Sequence, residues 1–272
     1  MTRDRRQAVG EGTLDHDFRT ADIETSSEDY ARRFRGSVGE WFLRVQARTV
    51  SDLLGDAGRE SLSVLDVGGG HGQLTRPLLD AGHRVVVHGS RPVCHDRLSG
   101  LGTSIARITS DLWHLPFSDD AFDLVVGIRL LAHVDEWRLL LGEMTRVSRR
   151  FVLVDFPARG PHHALVTALF GAKRKLEGNT RPYFDYLPSE IEEVFESRGM
   201  RISGATRQFG WPMALHRGLR SARFSALLES VSRALGITDR FGSPVLMLAE
   251  AASGSGNSEV VSRETGERGN PD

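Results

Sequence analysis

Residues 63–90, SVLDVGGGHGQLTRPLLDAGHRVVVHGS, restrict the fold more than any other part of this 272-residue chain. Ser63 to Val67 is an apolar run broken by a single carboxylate, the pattern of a short buried strand. Gly68, Gly69, Gly70 and Gly72 then make a loop with almost no side chains. Residues 73–80 have helical spacing and Gly82 supplies a stop signal. Val85, Val86 and Val87 form a second buried strand. Strand, glycine loop, helix and strand are half of a nucleotide-binding βαβ unit. Its loop lets a ligand lie against bare backbone at a helix N-terminus.

The glycine spacing selects the ligand. A dinucleotide loop needs G-x-G-x-x-G, and the third glycine falls on Gln73 in one register and on Thr75 in the other. What fits is D-x-G-x-G-x-G on Asp66, Gly68, Gly70 and Gly72, which resembles the first motif of the class I S-adenosylmethionine-dependent methyltransferases. The resemblance implies S-adenosylmethionine as cofactor, with Asp66, Gly68, Gly69, Gly70 and Gly72 around its amino-acid end. That ligand has no pyrophosphate and presents an α-amino group and a carboxylate to the loop.

The same resemblance places an acid after the second strand, to bind both ribose hydroxyls. Aligning Ser90 with the family's serine puts His88 in that position. An imidazole makes one such bond, where a carboxylate accepts two. Residues 105–109 read as the third strand. Asp111-Leu112-Trp113-His114-Leu115-Pro116-Phe117 then resembles the family's D-x-x-x-L-P-F segment, which assigns Asp111 to the adenine amino group and the Leu112 N–H to a ring nitrogen. Residues 121–127 read as the fourth strand, with His133 in the following loop as the catalytic candidate. Asp135 is placed to cap a helix from 136, and residues 151–156 form the fifth strand.

Family resemblance fades beyond Gly160, where acceptor choice is expected to lie. Residues 162–177 read as a helix. Ser189 and Glu192 have capping-box spacing for the next one. Residues 200–209 should be the sixth strand and 244–249 the last. Between them a single helix is expected over 214–235, with Leu215, Leu219, Leu227, Leu228, Val231 and Leu235 on its buried face. Arg181, Tyr183, Trp211 and Arg217 are the acceptor-pocket candidates: flat apolar surfaces and guanidinium groups that match a carboxylate or phosphate.

Composition narrows the function classes. A formal charge of −1 gives no electrostatic case for nucleic acid or an anionic membrane. One cysteine, Cys94, excludes an internal disulfide and suits a reducing compartment. The ten histidines include no H-E-x-x-H or cysteine–histidine spacing, so no metal site is expected. Neither a membrane span nor a signal-peptide core is legible, and a cytoplasmic location is expected.

These features predict an α/β fold: a Rossmann-like, twisted, mostly parallel seven-stranded sheet with helices on both faces. A helical cap precedes the sheet, and extra helices sit in the C-terminal half. Residues 1–27 are expected to be a loose tail, 28–252 the methyltransferase domain and 253–272 a disordered tail. The resemblance implies methyl transfer to a small organic acceptor at oxygen, nitrogen or carbon. The alternatives are a nicotinamide-dependent oxidoreductase and a non-catalytic S-adenosylmethionine-binding protein.

Overall fold

The computed structural model describes residues 21–101, 105–159 and 184–252. The helix expected over 162–177, and with it Arg181 and Tyr183, lies outside the described residues. Seven strands form one sheet: β1 (Ser63–Val67), β2 (Arg84–Gly89), β3 (Ala106–Thr109), β4 (Phe122–Gly127), β5 (Ser148–Phe156), β6 (Met200–Phe209) and β7 (Ser243–Ala251). Their order is β3-β2-β1-β4-β5-β7-β6. The five strands from β3 to β5 in that order run parallel, and β7 is antiparallel to both of its neighbours. The order reverses between β1 and β4, the place where open α/β sheets leave a crevice at the carboxyl ends of their strands. The glycine loop leaves β1 there.

The helices are α1 (Ala21–Thr25), α2 (Glu28–Arg32), α3 (Gly36–Leu54), α4 (Thr75–Asp80), α5 (Trp137–Arg146), α6 (Pro188–Ser197), α7 (Met213–Leu219), α8 (Ala222–Ala234) and α9 (Ile237–Phe241). Alternation along the strands sends side chains to opposite faces. Leu65, Val67, Val125, Val152 and Val154 meet Trp137, Leu140 and Met144 of α5 and Ile191 and Phe195 of α6. On the other face Val64, Leu124, Val126 and Leu153 meet Val50 and Leu54 of α3 and Leu74 and Leu78 beside or within α4. Burying each large aliphatic side chain contributes about 1.5–3 kcal/mol. This two-sided burial explains why β4, buried along its whole length, is apolar but for Asp123.

Four expectations need correction. Residues 21–27 are not a loose tail: α1 docks on the sheet with Asp22 fully buried. The cap of α6 uses Glu190, whose carboxylate accepts the Leu187 N–H at 2.7 Å, with Pro188 at the first helical position. The Ser189–Glu192 pair is two residues out of register. At α5, Asp135 accepts the Glu136 N–H at 2.7 Å, but no side chain caps the helix. The helix expected over 214–235 is broken at Arg220, which takes φ 54°.

The second segment of that helix also turns its face. In α8 the buried residues are Ser225, Glu229 and Ser232, while Phe224, Leu227, Val231 and Leu235 are exposed. Glu229 explains the inversion. It accepts the N–H groups of Gly210 and Trp211 at 2.8 and 3.1 Å and the imidazole of His216 at 2.8 Å. Burial works against its charge, but these bonds outweigh it and hold the carboxyl below its ordinary range. Two of these charge-assisted bonds satisfy backbone left bare after β6, which buried aliphatic side chains could not do.

Candidate active site

Asp66 lies at the end of β1 with 2 % of its surface exposed, and the Thr75 hydroxyl donates to its Oδ2 at 2.7 Å. Burial pushes the carboxyl up to about 6, with the Thr75 bond working the other way. Gly68 follows at φ 67°, a left-handed conformation that glycine adopts without strain. Its N–H donates to the His88 carbonyl at 3.0 Å, tying the loop to β2. A methyl group at Gly69 would fall 2.2 Å from the Asp66 carboxyl carbon. The loop is therefore a cradle of bare backbone closed round a buried carboxylate. Asp66, Gly68, Gly69, Gly70 and Gly72 are brought together as expected.

Thr25, Asp66, Gly68, His71, Gln73 and Ile128 line a crevice of about 10 Å³ at this loop, room for one water at most. The N-terminal helices make it this small. Asp22 of α1 accepts the Ser90 N–H at 2.7 Å and the Ser90 hydroxyl as well. The carboxylate at the tip of β2 thus comes from a helix 68 residues away in sequence.

His88 is turned toward Ser110. Its side chain is fully buried, and Nε2 lies 3.1 Å from the Ser110 carbonyl and 2.8 Å from its hydroxyl. The other ring nitrogen, Nδ1, is buried without a hydrogen-bond partner. Burial draws the imidazole down to about 4 and keeps it neutral at pH 7. Through Nε2, His88 joins β2 to the residue after β3.

Asp111 Oδ1 accepts the Trp113 N–H at 2.8 Å, closing an Asx turn. Leu112 is fully buried. The segment after them is clamped from α5: Glu143 accepts the Leu115 N–H at 3.0 Å, and Arg146 donates to the carbonyls of Leu115 and Phe117 at 3.0 and 2.8 Å. His133 ends a one-turn 3₁₀ helix, Leu131–His133, after β4. Trp211 donates its indole N–H to Ser232 at 2.8 Å, and Arg217 lies on the exposed side of α7. Neither is among the residues that gather at the crevice. From the same segment it is Met213 that reaches the carboxyl edge, with its sulfur 4.0 Å from Arg129.

Sequence reading missed Arg129, Asp155 and His71. Arg129 stands two residues beyond β4 at φ 60°, and its N–H donates to Asp155 near the end of β5. Its guanidinium covers the Phe34 ring at 4.2 Å. The rings of Phe34 and Tyr30 meet His71 edge-on, with centroids at 5.4 and 5.8 Å. Burial, then the charges of Arg97 and Arg129, hold His71 down to about 4. The available signal was positional: charged residues at the carboxyl ends of buried parallel strands, where ligands bind.

Asp155 gives a prediction in pH. Burial pushes its carboxyl from 3.8 to about 6, against the pull of Arg129. The folded chain therefore binds this proton more tightly than the unfolded chain. Its contribution is fully present below pH 3.8 and is lost as pH rises through about 6. At about 1.4 kcal/mol per tenfold change, the difference is up to about 3 kcal/mol. His71 and His88, both lowered to about 4, act in the opposite sense. Asp155→Asn should remove the carboxylate part alone. Urea unfolding at pH 4.5 and 7.0 should show the variant gaining on the parent as pH rises. A parent–variant difference that does not change with pH would refute a raised Asp155.

Among the described residues no group of three or more His, Cys, Asp or Glu is placed to hold a metal ion. No described helix is long and apolar enough to cross a membrane. Residues 65–151 match a family model described as a methyltransferase domain. The ubiquinone biosynthesis O-methyltransferase of Rhizobium etli is 26 % identical over 168 residues, 57 % of this chain and 66 % of that protein. The methyltransferase GfsG of Streptomyces halstedii is 32 % identical over 113 residues, 38 % of this chain and 39 % of that one. Both matches span less than two thirds of the relative's length. Among solved structures, magnesium protoporphyrin IX methyltransferase of Synechocystis PCC 6803, with bound S-adenosylhomocysteine, superposes with a TM-score of 0.59. It is 16 % identical, and the match covers 86 % of this chain and 98 % of that one. This last likeness is one of fold.

Proposed function

We propose, since residues 65–151 of this chain form a class I S-adenosylmethionine-dependent methyltransferase domain, that it transfers a methyl group from S-adenosylmethionine to a small organic acceptor. The observation that carries the reading is the cradle at the switch point: left-handed Gly68 and buried Asp66 at the carboxyl end of β1. Gly68, Gly69, Gly70 and Gly72 leave the backbone there bare for a ligand's amino-acid end. Asp66, Gly68, Gly69, Gly70 and Gly72 are assigned to that end, and Asp111 with the Leu112 N–H to the adenine. His88 stays assigned to the ribose end through Nδ1, which has no partner, since Nε2 serves Ser110.

S-adenosylmethionine supplies a methyl group already activated on a sulfonium. What remains for the protein is to hold donor and acceptor in line and keep water away. Tyr30, Phe34, Val38, Phe42 and Phe209 form a buried apolar cluster in which Phe34 and Tyr30 reach the glycine loop through His71. This cluster excludes water from that side. His133, in the loop after β4, remains the candidate for proton removal from an acceptor that still holds its proton. A cytoplasmic location belongs to the same reading.

A second reading is a cofactor-binding protein without catalysis, favoured by the tight closure of α1 over the loop. Calorimetry with S-adenosylhomocysteine and with NAD comes first. Incubation of a metabolite extract with methyl-labelled S-adenosylmethionine follows. The proposal expects S-adenosylhomocysteine to bind, NAD not to bind, and label to enter a small organic product. Binding without any transfer would favour the second reading, and binding of NAD alone would overturn both.

A further inference from the structure

The guanidinium of Arg129 is only partly used. Nη1 touches the Met213 sulfur at 4.0 Å, and the flat face of the group rests on Phe34. Nε and Nη2 are buried and have no hydrogen-bond partner. Those two nitrogens form one edge of the guanidinium, with parallel N–H groups that match the two oxygens of a carboxylate. A half-buried cation with two buried, idle donors is unfavourable unless an anion completes it. The rest of the residue is held firmly. Its backbone takes a left-handed conformation rare outside glycine, pinned by the bond from its N–H to Asp155. Both ring nitrogens of His71 are likewise buried without partners on the far side of Phe34. The surroundings are flat and apolar: Tyr30, Phe34 and Met213.

Within the methyltransferase reading, on which this inference rests, we propose that Nε and Nη2 of Arg129 receive the carboxylate of a planar organic acid. That acid is the methyl acceptor. Charge selects a carboxylate over a phosphate. A single guanidinium carries one positive charge, and the neighbouring Asp155 carboxyl disfavours the second negative charge of a phosphate. The position fits an acceptor, since Arg129 follows β4 and Asp155 lies near the end of β5, both at the edge that carries the glycine loop on β1.

The test is calorimetry on the full chain, with and without saturating S-adenosylhomocysteine. The probes are benzoate and 2-naphthoate, compared with their neutral amides. The acids should bind at least about tenfold tighter than the amides, as loss of one charge-assisted bond implies. Arg129→Gln should erase that preference while S-adenosylhomocysteine affinity stays within about twofold. Arg129→Lys, which keeps the charge but loses the fork, should lose most of the preference too. Equal affinity of acids and amides, including no measurable binding of either, overturns the proposal. So does an acid preference that survives in Arg129→Gln. Should the parent fail to bind S-adenosylhomocysteine, the methyltransferase reading falls, while the acid–amide comparison still decides what Arg129 recognises.

Discussion

Gly70→Val should abolish S-adenosylhomocysteine binding and destabilise the whole fold. A first side-chain carbon at Gly70 would lie 2.0 Å from the Cys94 carbonyl oxygen and 2.3 Å from Ser26 Oγ. Serine could turn away, but the carbonyl belongs to backbone beside the buried Cys94 and has nowhere to go. Overpacking of this kind costs about 1–3 kcal/mol or more, and valine adds two further methyl groups. At about 2–4 °C per kcal/mol for a chain of this size, the melting temperature should fall by roughly 5–10 °C. The harm to binding follows from the same displacement, because the loop would be forced off the segment that holds its shape. Gly100→Ala is the control: nothing lies within 4 Å of the added carbon, and it should melt and bind as the parent does. A Gly70→Val protein with parental melting and parental affinity would mean that this loop is neither packed as described nor the binding site.

Asp22→Ala should undock the N-terminal segment. The Asp22 carboxylate is fully buried and takes both the N–H and the hydroxyl of Ser90. Bonds to a charged group are worth about 1.5–3 kcal/mol each, and a buried Ser90 N–H left bare adds its own desolvation. The five-residue α1 cannot persist in water by itself, so its helicity depends on this anchor. A loss of about 3 kcal/mol corresponds to opening more than a hundredfold more often. Amide hydrogen exchange over 21–34 reads this directly, while exchange in β1 and β4 should stay slow. Unchanged protection over 21–34 would show that packing of Ala21 and Thr25 holds the helix without Asp22.

Legibility in the sequence followed distance along the chain. The glycine loop and its flanking strands were readable because strand, turn and helix are decided within about twenty residues. Met200–Phe209 was readable as a strand for the same reason. Asp66 was singled out because D-x-G-x-G-x-G resembles a family motif that places an acid near the end of the first strand. The parallel order of the first five strands followed from alternating strands and helices. Where two nearby groups competed for one role, the reading went astray. Glu190 and Glu192 are both within reach of a helix start, and only the position of Pro188 and the Leu187 N–H selects between them.

Tertiary structure alone decided the rest, since long-range hydrogen bonds leave no periodic trace. His88 stands where an acid was sought, yet whether it faces a ligand or Ser110 depends on how β3 lies beside β2. Asp22 reaches Ser90 across 68 residues, and nothing local to α1 announces that its carboxylate will be buried. The apolar stripe of α8 was plain to read and pointed the wrong way. Glu229 satisfies donors on Gly210, Trp211 and His216 that exist only once β6 and α7 are placed. Arg129, Phe34, His71 and Asp155 come from four separate stretches and meet only at the carboxyl edge of the sheet. Local pattern determined the scaffold, because it sets which residues must leave water. The site was set by the assembled sheet, because a buried polar group takes whichever partner the packing brings within bonding distance.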